Sequence, residues 1–178
     1  MNIEKTIEQP TLHKDGLTVR PVRKPDAGQI TLYASDKRVA MNTSVIPHPL
    51  PPGMVESLID RALTADREED VWVLDNSDTQ DQVLGAIMLR RLDREQSEIG
   101  FWVAPAMWNN GLASKAVDAL IEANPQACKT LFASVFQDNP VSSRVLTNAG
   151  FDYIGDAETY SVARDAVVPT WTYLLKLA

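Results

Sequence analysis

Three stretches of this chain point to a mixed α+β (mixed α/β) domain. Residues 71–104 read as three β-strands in succession, VWVLD, VLGAIMLRRL and SEIGFWVA, separated by the polar turns NSDTQD and DREQ. Strands joined that tightly form an antiparallel meander. A helical stretch then precedes the strand TLFASVF (130–136), and a helix crossover sets its two flanking strands parallel. The chain closes with two further strands, roughly 151–162 and 167–176, joined near ARDA. Meander, helix, parallel strand, helix and hairpin together give a sheet of mixed direction.

Taken from the N-terminus, GLTVRPV (16–22) reads as the first strand. Pro25 can occupy a first helical turn, where its missing N–H costs nothing, ahead of a helix to about Val39. VIPHPLPPG (45–53) is too rich in proline for a helix or a central strand. A second helix follows, with Met54, Val55, Leu58, Ile59, Ala62 and Leu63 along one face. DREED (66–70) reads as a solvated loop. After the meander, MWNNGLASKAVDALI (107–121) opens a helix whose apolar stripe is Ala113, Ala116, Val117, Leu120 and Ile121. Ser114, Lys115, Asp118 and Glu122 take its water-facing side. QDNPVSSRVLTNAGF reads as a loop and a short helix with a glycine stop at Gly150.

Bulk properties narrow the possible functions. At 178 residues, 44% hydrophobic and 23% charged, the chain fits one soluble domain. A net charge of −7 argues against a general nucleic-acid binder and mildly favours a cationic acceptor. One cysteine, Cys128, and two distant histidines, His13 and His48, provide neither a disulfide framework nor a metal-ligand spacing. No apolar run approaches the roughly 20 residues of a membrane span, and MNIEKTIEQPTLHKDG lacks a signal peptide's apolar segment. A reducing cytoplasm is the expected setting.

The turn before the third helix is the first candidate site. Gly111 lacks a Cβ, so a ligand's oxygens could approach the main chain. The amides of Gly111 to Ser114 fall in a first helical turn, where N–H groups lack intrahelical partners and the helix dipole is positive. Such a turn suits a phosphate, and it equally suits an ordinary helix start. It is neither a P-loop nor a GxGxxG turn.

Its surroundings carry a resemblance. SEIGFWVAPAMWNNGLASKAV is similar to the strand and glycine turn of the GNAT superfamily of acyl-CoA N-acyltransferases, whose pattern [Q/R]-x-x-G-x-[G/A] reads here from Trp108 to Ala113. Tryptophan in first position resembles the branch of ribosomal-protein N-terminal acetyltransferases and their small-molecule relatives. NPVSSRVLTNAGF (139–151) is similar to that branch's N-P-x-S-x-R-V-L-x-x-x-G-F, in the family's order and near its spacing. The likeness spans about residues 16–177, leaving 1–15 as an N-terminal extension and 16–178 as a single domain. It implies a central, mostly antiparallel sheet of about seven strands with helices on both faces and strands four and five splayed.

The resemblance also implies roles. Acetyl-CoA would insert its pantetheine arm between the splayed strands like an added strand, against Trp102, Val103 and Ala104. Its pyrophosphate would rest on Asn109, Asn110, Gly111, Leu112, Ala113 and Ser114. Asn139 would bond the arm from the far side, and Arg144 could reach a phosphate or form a structural ion pair. The reaction is direct attack of an amine on the thioester, in a ternary complex, with no metal and no protein nucleophile; Cys128 gains no role. One GNAT group protonates the leaving thiolate with a tyrosine at the position of Leu146. This branch instead has a serine, here Ser142, which could equally cap the short helix. Glu98 is the candidate base, on the strand bordering the cofactor, although a surface glutamate is the plainer account. The acceptor pocket would draw on Met41, Asn42, His48 and Pro49 from the proline loop and its approach, and on Tyr160 and Trp171 from the hairpin.

Two departures stand out. The branch usually has glycine and a basic residue where this chain has Asn109 and Asn110, and Lys115 stands where glutamate is common. Folding of Lys115 back toward the turn could restore some positive charge. The acceptor stays open among protein N-termini, aminoglycosides, polyamines and amino acids. Exposed edge strands allow a homodimer. The competing function is a GNAT-like fold that binds acyl-CoA as a sensor or interaction module without catalysis.

Overall fold

The computed structural model describes residues 9–177; the first eight residues of the expected N-terminal extension lie outside them. Eight strands form one sheet in the order β1-β2-β3-β4-β5-β6-β8-β7. β2 (Leu17–Pro21), β3 (Glu69–Asp75), β4 (Gly85–Arg91) and β5 (Gln96–Val103) run antiparallel to one another in turn. β6 (Thr130–Phe136) joins β5 in parallel, and β8 (Ala166–Lys176) slots between β6 and the edge strand β7 (Asp152–Ser161). The additional strand β1 (Leu12–Lys14) pairs with β2 through the left-handed Asp15–Gly16 turn, so the family's strands four and five correspond to β5 and β6 here.

Period-two alternation sends each strand's side chains to two separate cores. Trp72, Leu74, Ile87, Leu89 and Ile99 face α4 (Leu112–Ala123) and α5 (Pro140–Asn148). Val73, Ala86 and Trp102 face α1 (Ala27–Ala34), α2 (Lys37–Ala40) and α3 (Met54–Ala62). The helices therefore cover both faces, as the resemblance implies.

Four local expectations need correction. The single helix from Pro25 to Val39 is a one-turn 3-10 segment, then α1 and α2, because extended Asp36 ends one helix and caps the next by accepting the Arg38 amide. DREED is not a solvated loop: Glu69 and Asp70 begin β3, and buried Asp70 is bound by Arg67, Arg91 and Gln126. On α4 the fully buried positions include Leu112 and Ala119, whereas Ala113 and Ile121 are half-buried, because the helix lies against both β1–β2 and α5. On α3, Val55, Ile59 and Ala62 are buried but Leu58 and Leu63 stay exposed at the edge of the helix.

Candidate active site

The site is built where two strands part. β5 and β6 pair through Gln96–Thr130, Ser97–Leu131 and Glu98–Phe132. Beyond that point β5 continues on β4 to Val103, and β6 continues on β8 to Phe136, with no ladder between them. Two cavities open into this gap. One, of about 370 Å³, is lined by Gly100, Phe101 and Ala133–Phe136 together with Glu98, Glu69 and Arg90. The other, of about 430 Å³, runs along Phe101–Val103 to the glycine turn, residues 107–114. Asn42, Phe101, Asn139 and Ser142 line both, so the cavities meet there.

The glycine turn has the shape of an anion cradle. Asn109 and Gly111 both have left-handed backbones, with φ of 65° and 71°, and no side chain caps α4 behind them. A Cβ on Gly111 would meet no protein atom within 4 Å, so the space above it is open. Uncapped amides and the dipole of a twelve-residue helix therefore face the cavity. Asn110 turns its amide inward to the carbonyls of Met107 and Trp108, which holds the turn's shape. Trp108 donates its indole N–H to the Val103 carbonyl at 2.8 Å, closing the turn onto β5. Ala104 is buried and internally bonded, its amide to Leu84 and its carbonyl to Met107, so it anchors the turn and leaves the gap to Gly100–Val103.

A cation from elsewhere in the chain does line this cavity. Arg38, on α2, lines the same cavity and lies 5.8 Å from the Trp108 ring, held by Asp36. Sequence reasoning missed it because seventy residues separate it from the turn. Lys115 points away: its ammonium reaches the Asp15 carbonyl at 3.3 Å and lines neither cavity. Arg144 is exposed on α5 and also lines neither.

At the junction, Asn139 caps α5 and donates its amide to Ser142 Oγ at 3.0 Å. The helix cap is thus Asn139 and not Ser142. A serine oxygen that is already accepting keeps its own proton free to donate. Leu146, where a tyrosine would stand, is fully buried and presents only hydrocarbon to the cavity.

Glu98 sits on a charged cross-strand row. Glu69 on β3 faces Arg90 on β4, which faces Glu98 on β5. Arg90 binds Glu98 at 2.8 Å. Glu69, absent from the sequence candidates, lines this cavity and is accessible at its surface, yet protein atoms surround it on the cleft floor. That desolvation raises its carboxyl above the ordinary range, Arg90 opposes the rise and Glu98 adds to it. Its signal in the sequence was only alternation with Val71, obscured by the acidic run.

Among the acceptor candidates, Asn42 lines both cavities. Met41 instead offers its carbonyl to Arg164, whose guanidinium lies 4.7 Å from the Phe136 ring and also binds Asp138. His48 and Pro49 are exposed, Tyr160 is exposed and bonded to Asp165, and Trp171 packs half-buried against the core; none of these lines a cavity at the gap. The hairpin contributes Thr159 and Thr170 in their place, because the register of β8 between β6 and β7 turns Thr170 inward. Among the described residues no group of three or more histidine, cysteine or acidic side chains is placed to hold a metal, and no helix is long and apolar enough to cross a membrane.

A family model for the acetyltransferase (GNAT) domain matches residues 16–152. The chain is 27% identical over 160 residues to the uncharacterized N-acetyltransferase YoaA of Bacillus subtilis (strain 168), covering 85% of this chain and 88% of that one. Its fold is similar to RimL, a ribosomal L7/L12 α-N-protein acetyltransferase solved with coenzyme A, at a TM-score of 0.81 and 12% identity over 94% of this chain and 98% of that one. It is similar also to the microcin C7 self-immunity acetyltransferase MccE, solved with acetyl-CoA and AMP, at a TM-score of 0.79 and 14% identity over 92% and 93%.

Proposed function

The chain belongs to the GNAT acetyltransferase family, and from that premise we propose that it transfers an acetyl group from acetyl-CoA to a primary amine within a ternary complex. One observation carries this reading: two cavities meet at Asn139 and Ser142, where β5 leaves β6. The cavity that reaches the glycine turn fits the cofactor. Its gap exposes strand edges to an extended arm, and its far end has uncapped amides, an open Gly111 and Arg38 for phosphate. The cavity of about 370 Å³ fits the acceptor, with Glu98 and Glu69 on either side of Arg90 to face an ammonium group.

Each step then has a residue. Glu98, closest along β5 to the gap, takes the ammonium proton directly or through water; Glu69 helps hold the cation. The neutral amine attacks the thioester carbonyl to form a carbon–nitrogen bond; the carbon–sulfur bond then breaks, and the nitrogen's remaining surplus proton passes to water to leave the neutral amide. Ser142, its oxygen engaged by Asn139, gives its proton to the departing sulfur and is reprotonated from solvent.

The test is coenzyme A release with a broad panel of amines. Ser142→Ala should lower kcat roughly a hundredfold with acetyl-CoA affinity unchanged, and Glu98→Gln should lower kcat/KM by a similar factor. Tight acetyl-CoA binding without turnover of any amine would instead identify a binding module.

A further inference from the structure

Beneath α3 lies a third cavity, of about 460 Å³, that the transfer reading leaves unused. Hydrocarbon dominates its walls, from Ile30 on α1, Leu50 of the proline loop, Met54 and Leu58 on α3 and Met88 and Trp102 of the sheet, and Arg61, Arg67 and Glu68 line it as well. It continues from the acceptor cavity, since Val45, Glu69, Met88 and Arg90 line both. The carboxylates of the charged row therefore stand at one end of an apolar chamber.

We propose that this chamber takes the apolar arm of the acceptor, so that the preferred substrate is a primary amine bearing an alkyl or aryl group. The amine's cation stays at Glu98 and Glu69 while its hydrocarbon crosses toward Met88 and α3. Adjacent strands lie about 5 Å apart, so an arm of a few carbons spans from β5 to the chamber. An apolar cavity of about 150 Å³ already accommodates a benzene ring, and this one is larger. Polyamines and aminoglycosides fit less well, because a second cation would lose water against Ile30, Met54 and Leu58 and would meet Arg61 and Arg67 beside Glu68.

The inference rests on the acetyl-transfer reading for its polar end, but the chamber can be read without turnover. In methionine-methyl NMR of the whole chain, hexylamine should shift Met54 and Met88 saturably. Met41 and Met107, which lie outside the chamber, should hold still, and propylamine should act far more weakly. In turnover, kcat/KM for hexylamine should exceed that for propylamine by at least about tenfold. Leu58→Glu, at a position 37% exposed and so able to accept a charge without unfolding α3, should remove both the shifts and the preference. An unmoved Met54 signal, whatever Met88 does at the shared wall, or spermidine turned over faster than hexylamine, would overturn the inference and leave acetyl transfer standing. Shifted signals without coenzyme A release from any amine would overturn the transfer reading and, with it, the chamber's acceptor role.

Discussion

Asn109 and Asn110 leave the glycine turn without a cation of its own, and two side chains compete to supply one. Lys115 is adjacent in sequence but bonds Asp15 behind the helix; Arg38 is remote in sequence but lies over Trp108 at the cavity wall. Arg38→Ala should therefore weaken coenzyme A binding several-fold, about 1 kcal/mol, while Lys115→Ala leaves it unchanged; calorimetric titration separates the two. Glu69 supports a second residue-level prediction. Desolvation by the surrounding cleft floor raises its carboxyl, so protonation disables it at a higher pH than an ordinary glutamate. Amine turnover should fall on the acid side as pH drops through that raised value, and Glu69→Gln should lower the plateau and remove that inflection. For stability the sign reverses. A raised acid favours the fold below its unfolded value and loses that contribution as pH rises, so Glu69→Gln should not destabilise the protein at neutral pH. Chemical denaturation at pH 7 would show this.

The splayed pair β5 and β6 depends on β4 holding β5 in place. At Gly85 an added Cβ would lie 2.4 Å from the Trp102 carbonyl oxygen, a backbone atom that cannot move aside without shifting the strand. Gly85→Ala should cost about 1–3 kcal/mol of stability and weaken coenzyme A binding together with it, measured by urea denaturation and calorimetry. Most elements were legible in the sequence because each carries a local pattern: alternation in the meander, a 3.6-residue stripe on α4, a glycine after α5. The break between α1 and α2 was not, because it depends on the side chain of Asp36 engaging the backbone, and apolar periodicity does not report that. β1 was missed for a related reason: three residues are too few to show alternation, and pairing with β2 and the Lys14–Glu122 bond to α4 hold it.

Across the whole molecule, a buried ion cluster joins β2 to the meander. Arg20 binds Asp26 and Asp75, and all three are almost wholly buried. Burial alone would raise the Asp75 carboxyl, but bonds from Ser77, Arg20 and the Gln82 amide outweigh it and hold the group below its ordinary value. A depressed carboxylate contributes stability that is present above its unfolded value, about 3.9, and is lost as pH falls through the folded one. Asp75→Asn should thus lower stability at pH 7 by about 1–3 kcal/mol and flatten the loss below pH 4. Arg20→Met should cost about 3–5 kcal/mol, because two buried carboxylates would remain. Urea titrations across pH measure both.

By itself the sequence determined most of the element order and the glycine turn, and its resemblance to the family marked Asn139 and Ser142. Order and turn follow from local spacing, and local spacing survives without a fold. Tertiary structure decided which charge reaches the turn, which carboxylates flank Arg90 and what lies behind Met88. Those are juxtapositions between α2 and α4, β3 and β5, α3 and the sheet, set by strand register and by the packing of two cores on opposite faces. Contacts between residues far apart along the chain leave no spacing to read, so Arg38, Glu69 and the apolar chamber became visible only once the sheet had brought them together.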